Sequence, residues 1–118
     1  MEVRKIQDPL GHTLKVIGDV DASSSIILDN ALGEAMGEAS GNIFVDCTEL
    51  DYISSPGIGV FTSRLHECEE EDRKIVLYGV NSKVLNVFKV LGLHQLLPIY
   101  STKEELISAI ANDSENQG

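Results

Sequence analysis

Apolar positions change their spacing along the chain, and each change marks a boundary between elements. The segments EVRKI and HTLKVI set alternating or clustered β-branched residues on either side of DPLG, which predicts a strand pair joined by a tight turn. After GDVDASSS, Leu28, Ala31, Leu32 and Ala35 fall at the spacing of one buried helical stripe, with Gly37 and Gly41 punctuating its end. Ser23, Ser24 and Ser25 begin that helix on this reading and, flanking Asp21, are also placed to touch a partner. NIFVDC at 42–47 is a short apolar run of the kind found in a buried parallel strand.

From Ile58 the positions Phe61, Leu65 and Cys68 return to helical spacing, and KIVLYGV at 74–80 reads as another buried strand. Ser82 is placed to cap a third helix with the stripe Val84, Val87, Phe88 and Leu91, which Gly92 ends in a left-handed conformation. LLPIY is a last short strand. In TKEELISAI, Thr102 precedes Glu105 by three residues in a capping-box pattern, with Leu106 and Ile110 on one face. Strand and helix thus alternate after an initial hairpin, which argues an α/β domain with a mostly parallel sheet. The domain is expected over 1–111, and the polar NDSENQG at 112–118 is set apart as a flexible tail.

The densest chemistry lies in YISSPGIGVF at 52–61. With Ser55 immediately before the second helix, Pro56 takes the first helical position, where a missing N–H costs nothing, and the amides of Gly57 and Ile58 point back toward the Ser55 side chain. Ser55 is then an N-cap, with Gly57 and Gly59 allowing close packing. A helix start is also a site where a phosphate on that hydroxyl would be held rather than repelled. The sequence leaves both readings open.

At 118 residues the chain can bury a core without disulfides. Its formal net charge of −10, from 19 acidic and 9 basic residues, speaks against nucleic acid and anionic membranes as partners. MEVRKIQDPL lacks the apolar run of a secretion signal and no stretch reaches membrane-spanning length, so a soluble, cytoplasmic protein is expected. Cys47 and Cys68 read as free structural thiols. His12, His66 and His94 lack metal-ligand spacing, no nucleotide-binding loop or G-x-S-x-G elbow occurs, and no cofactor is expected. A hydrolase or transferase using Ser54 or Ser55 as nucleophile has no motif supplying a base. The acidic run Glu69, Glu70, Glu71 and Asp72 reads as a solvated surface or a steering patch for a basic partner.

Four segments together resemble the STAS-domain family of anti-sigma factor antagonists, from about residue 3 to about residue 111. IGDVDASSS is similar to the family's glycine, apolar, aspartate signature at Gly18, Val20 and Asp21. FVDCTELDYISSPGIGV resembles its central motif of a strand, Asp46, a short loop and the serine and glycine that open the second helix. LYGVNSKVLNVFKVLGL and LLPIYSTKEELISAI resemble the two strand and helix units that close the fold.

The resemblance implies a STAS fold: one mostly parallel sheet of about five strands, four helices and an initial antiparallel pair. It implies a non-enzymatic regulator whose unmodified form binds an anti-sigma factor serine kinase of the histidine-kinase-like ATPase fold and so releases a sigma factor. Phosphorylation ends binding, and a metal-dependent serine phosphatase resets the cycle. Carried over by position, the phosphorylated residue is Ser55, two before Gly57, with Ser54 the alternative. Asp21, Ser23, Ser54, Pro56, Gly57, Ile58 and Gly59 are implied partner contacts. Ser54 stands where many members have aspartate, and Pro56 where serine, threonine or alanine is usual. An unswitched STAS interaction or scaffold module, in a larger complex or transporter, is the alternative function.

Overall fold

The computed structural model describes residues 1–117, with side-chain surroundings described through residue 112. Strands β1 (Glu2–Asp8) and β2 (Gly11–Val20) form the expected antiparallel hairpin, with Asp8 opposite Gly11. There follow α1 (Ser25–Glu38), β3 (Ile43–Ile53), α2 (Ser55–Glu70), β4 (Ile75–Tyr78), α3 (Ser82–Val90), a single 3-10 turn (Leu93–Gln95), β5 (Ile99–Tyr100) and α4 (Lys103–Gln117). The sheet order is β1-β2-β3-β4-β5, with every pair after the hairpin parallel.

Helices α1, α2 and α3 share one core with one face of the sheet. Leu28, Leu32 and Ala35 of α1, Ile58, Phe61, Leu65 and Cys68 of α2, and Val84 and Phe88 of α3 pack on Leu14, Val16, Val45, Cys47 and Leu77. The opposite face carries Phe44, Val76 and Tyr78, against which α4 sets Leu106. Burial raises both cysteine thiols above their ordinary range, so they stay protonated and packed.

Several boundaries differ from expectation. β3 runs six residues past Cys47 to Ile53, because Glu49, Leu50, Tyr52 and Ile53 pair with β2 across two register shifts, where the polar TELD had read as loop. At α3 the cap is Asn81 rather than Ser82: its Oδ1 accepts from the Val84 amide at 2.8 Å and its Nδ2 donates to the Leu50 carbonyl at 3.0 Å, a bond a serine cannot add. Only Ile99 and Tyr100 of LLPIY form strand, since Leu96 ends the preceding turn. α1 passes through Gly37 to Glu38, and Ile110 is exposed rather than sharing the burial of Leu106. α4 extends through the segment set apart as a tail, there being no Gly or Pro between Lys103 and Gln117 to stop it. Gly118 lies outside the described residues.

Charged side chains fasten the helices. Arg73, buried directly after the acidic run, donates to the carbonyls of Gly41 (2.9 Å), Met36 (2.8 Å) and Ala39 (2.6 Å), closing the carboxyl end of α1 from across the core. Arg64 reaches over Gly33 to Asp29 at 2.9 Å, and a Cβ on Gly33 would lie 2.8 Å from the guanidinium.

Candidate functional site

β2 and β3 outrun their neighbours. β4 ends at Tyr78, opposite Asp46, so the last seven residues of β3 project beyond it beside β2. At the tip Val20 pairs with Ile53, and the Ser54 amide donates to the Val20 carbonyl at 2.8 Å. The loop after β2, holding Asp21, and the start of α2 are therefore side by side at the carboxyl edge of a parallel sheet.

The register of α2 is one residue earlier than the serine and proline pattern suggests. Ser54, extended at φ −85° and ψ 170°, is the N-cap; its hydroxyl accepts from the Gly57 amide at 3.3 Å and its carbonyl from the Ile58 amide at 2.9 Å. Ser55 is the first helical residue and Pro56 the second. Both registers leave the proline in the first turn, where its missing N–H is harmless, so local chemistry does not separate them. Tertiary packing does. A Cβ on Gly57 would lie 2.7 Å from Cγ1 of Ile53 and 2.9 Å from Cγ1 of Val20, so α2 meets the strand ends at this glycine.

Freed from capping, the Ser55 side chain is exposed and makes no hydrogen bond among the described residues. Pro56 and Gly59 are exposed beside it, and nothing lies within 4 Å of a Cβ placed on Gly59. Gly57 and Ile58 are buried, so these two shape the site from beneath and do not face outward.

Asp21 organises the neighbouring loop. Its Oδ1 accepts from the Ser24 amide at 2.8 Å, the Ser24 hydroxyl at 2.9 Å and the Ser23 hydroxyl at 3.0 Å. These bonds, the Ser24 amide first, lower its pKa from 3.8 to about 2. Oδ2 has no hydrogen-bond partner among the described residues, which leaves it for solvent or a ligand. Ser23 and Ser24 thus serve the loop, and α1 begins at Ser25. Gly18 enters the projecting segment at φ 92°, a left-handed conformation next to the register shift at Asp19. Asp19 and Asp51 are exposed on the same strand ends.

Asp46 is not part of this cluster. It sits opposite Lys15 and Tyr78, half-buried, with Oδ1 accepting from the Thr48 amide at 2.9 Å and hydroxyl at 2.6 Å. Ile53 lies seven residue steps further along the strand, a rise of about 23 Å.

Sequence patterning missed Ile26 and Ile27. They lie in the first turn of α1 directly after the Asp21 loop and are 64% and 50% exposed. The available signal was an isoleucine doublet outside the stripe of Leu28, Leu32 and Ala35. Pro56, in the first turn of α2, is exposed as well. No group of three or more metal-ligating side chains occurs among the described residues, and no described helix is long and apolar enough to cross a membrane.

Comparison with known proteins agrees with this layout. The family model for the STAS domain matches residues 1–106. An anti-sigma-B factor antagonist of Listeria monocytogenes is 25% identical over 91 residues, covering 77% of this chain and 80% of the relative. The solved anti-sigma-factor antagonist (STAS) domain protein of Planctomyces limnophilus superposes with a TM-score of 0.78 at 17% identity, covering 92% of this chain and 97% of the other. The Bacillus cell fate determinant SpoIIAA, in its phosphorylated form, superposes at 0.68 with 19% identity, covering 92% and 99%.

Proposed function

The chain belongs to the STAS domain family, and from that premise we propose that it is an anti-sigma factor antagonist switched by phosphorylation of Ser55. Its unmodified form binds an anti-sigma factor serine kinase of the histidine-kinase-like ATPase fold in the cytoplasm and releases the sigma factor. The names of its relatives support the role. The observation that carries the assignment to this residue is the Ser55 hydroxyl itself, exposed and without a hydrogen-bond partner among the described residues, at the first position of α2 beside the Asp21 loop.

Phosphorylation would replace a neutral hydroxyl by about −1.5 to −2 charges. Local compensation is thin. Pro56 has no N–H to offer, and the Gly57 amide already serves Ser54. Asp19, Asp21 and Asp51 add like charge around it. The dianion is therefore presented to whatever docks on the edge, and a charge desolvated there without a partner costs about 2–5 kcal/mol, at least some 30-fold in affinity. Asp21 Oδ2, Ser23 and Pro56 are the polar and apolar contacts we assign to the kinase, with Ile26 and Ile27 added to them. Among the described residues neither serine hydroxyl is hydrogen-bonded to a general base, so we read this edge as binding rather than catalytic.

The mass of the protein recovered from its own cells, before and after treatment with a metal-dependent serine phosphatase, tests the proposal. One removable phosphate mapped to Ser55, absent from Ser55→Ala and retained in Ser54→Ala, is the expected result; an unmodified chain under every growth condition refutes it. The unswitched interaction module draws its support from Ser54 and Pro56, the two departures from the family pattern. It predicts that Ser55→Asp binds as tightly as the parent.

A further inference from the structure

The 19 acidic residues all fall in 1–72 and 104–118, so the stretch from Arg73 to Lys103 contains five cations and no Asp or Glu. Folding gathers this stretch into β4, α3, the 3-10 turn and β5, which make one edge of the domain. Arg73 is engaged by the carbonyls that end α1 and by Glu71, and Lys103 by Asp8. Arg4, Lys5, Lys15 and Arg64 are each paired with carboxylates elsewhere. Among the described residues, the lysines without an ion pair are Lys74, Lys83 and Lys89, all at this edge of a chain whose net charge is −10.

A hollow of about 340 Å³ lies between α3 and β5, lined by Leu85, Lys89, His94, Ile99 and Tyr100 among others and by no carboxylate. β5 is the last strand of the sheet, so its outer edge has no strand beside it. Around the left-handed turn at Gly92, Val90, Leu91 and Leu96 are 76%, 56% and 55% exposed. The neighbouring hollow of about 470 Å³, across His94, mixes Glu69 and Asp72 with Lys74 and so lacks a single sign.

We propose that the α3 and β5 edge is a second docking surface, which receives an acidic segment of a partner protein. An apolar side chain of that segment enters the hollow between Leu85 and Ile99, and its carboxylates face Lys89, with Lys83 adding to the field along α3. Charge selects the sign of the partner, since a carboxylate-bearing segment meets here the lysines that have no ion pair among the described residues. The three lysines are too few for a nucleic acid or a lipid surface. Such binding needs roughly four to ten basic contacts to overcome the counter-ions and, here, the charge of the rest of the domain. The shaped hollow instead suits a side chain, as in a helix or strand seated in a groove. This inference does not depend on Ser55.

The test uses the full chain, isotope-labelled for NMR, and three defined probes: a peptide of leucine and glutamate at helical spacing, its leucine and lysine counterpart, and phosphatidylserine vesicles. The acidic peptide should shift the amides of α3, the Gly92 turn and β5, and its affinity should fall as salt rises. The double variant Lys83→Glu with Lys89→Glu, checked for an unchanged circular dichroism spectrum, should bind it at least about tenfold more weakly. Ser55→Ala should bind it as the parent does. No shift at millimolar acidic peptide, an equal response to the basic peptide, or loss of binding in Ser55→Ala would each overturn the proposal. Binding to vesicles without binding to the peptide would overturn it in favour of a lipid-facing edge.

Discussion

The amide of Ser54 donates to the carbonyl of Val20 across 2.8 Å. That bond ties the start of α2 to the end of β2, and it determines which serine is spent on the helix and which is left for chemistry. With Ser54 held at the strand tip, its own hydroxyl turns to the Gly57 amide and Ser55 is freed.

The two serines therefore respond differently to removal. Ser54→Ala deletes the cap and should cost about 1 kcal/mol of unfolding free energy in urea titrations. Ser55→Ala removes no contact and should stay within about 0.5 kcal/mol of the parent. Equal losses would mean that the two share the capping role.

Gly57→Ala should destabilise by about 1–3 kcal/mol in the same titrations, because the added methyl meets Ile53 and Val20 in a packed junction. Gly59→Ala, with nothing within reach of its Cβ, should be neutral or slightly stabilising through helix propensity. The contrast between two glycines two residues apart in the same helix checks the register of α2 directly.

Arg73→Met keeps an aliphatic stem but removes every donor from the carbonyls of Met36, Ala39 and Gly41. A loss of about 2–3 kcal/mol is expected from thermal or urea unfolding. Lys74→Met, on an exposed neighbour, is the control and should change stability little.

Asp21 should titrate near pH 2, read from its carboxyl carbon by NMR. Its folded pKa lies below the ordinary value of 3.8, so its bonds to Ser23 and Ser24 contribute in full above that value and are lost as pH falls through about 2. At neutral pH the loop is always anionic. Ser24→Ala, which removes the hydroxyl bond, should raise the midpoint toward the ordinary range; no change would mean that the serine does not hold the carboxylate.

The buried stripes were legible in the sequence because helical spacing records burial directly: Leu28, Leu32 and Ala35, then Ile58, Phe61, Leu65 and Cys68, then Val84 and Phe88, all point into one core. Caps were legible in kind but shifted by one residue. Ser54 with Ser55, and Asn81 with Ser82, are adjacent residues of equal local aptitude, and the choice was made by Val20 and Leu50 on distant strands. The extension of β3 was hidden because Thr48, Glu49 and Asp51 are exposed on a projecting strand and carry the composition of a loop. Arg73 was hidden for the opposite reason. A charge run suggests solvent, and only the fold reveals that the arginine next to it is surrounded by carbonyls.

The central claim is that charge on Ser55 ejects the partner while leaving the domain intact. Calorimetry of the proposed kinase partner against the unmodified chain and against chain carrying phosphoserine at position 55 measures this most directly. An affinity weaker by about 30-fold or more, with the unfolding temperature of the isolated chain unchanged, is the predicted result. Equal affinity for the two forms would contradict it.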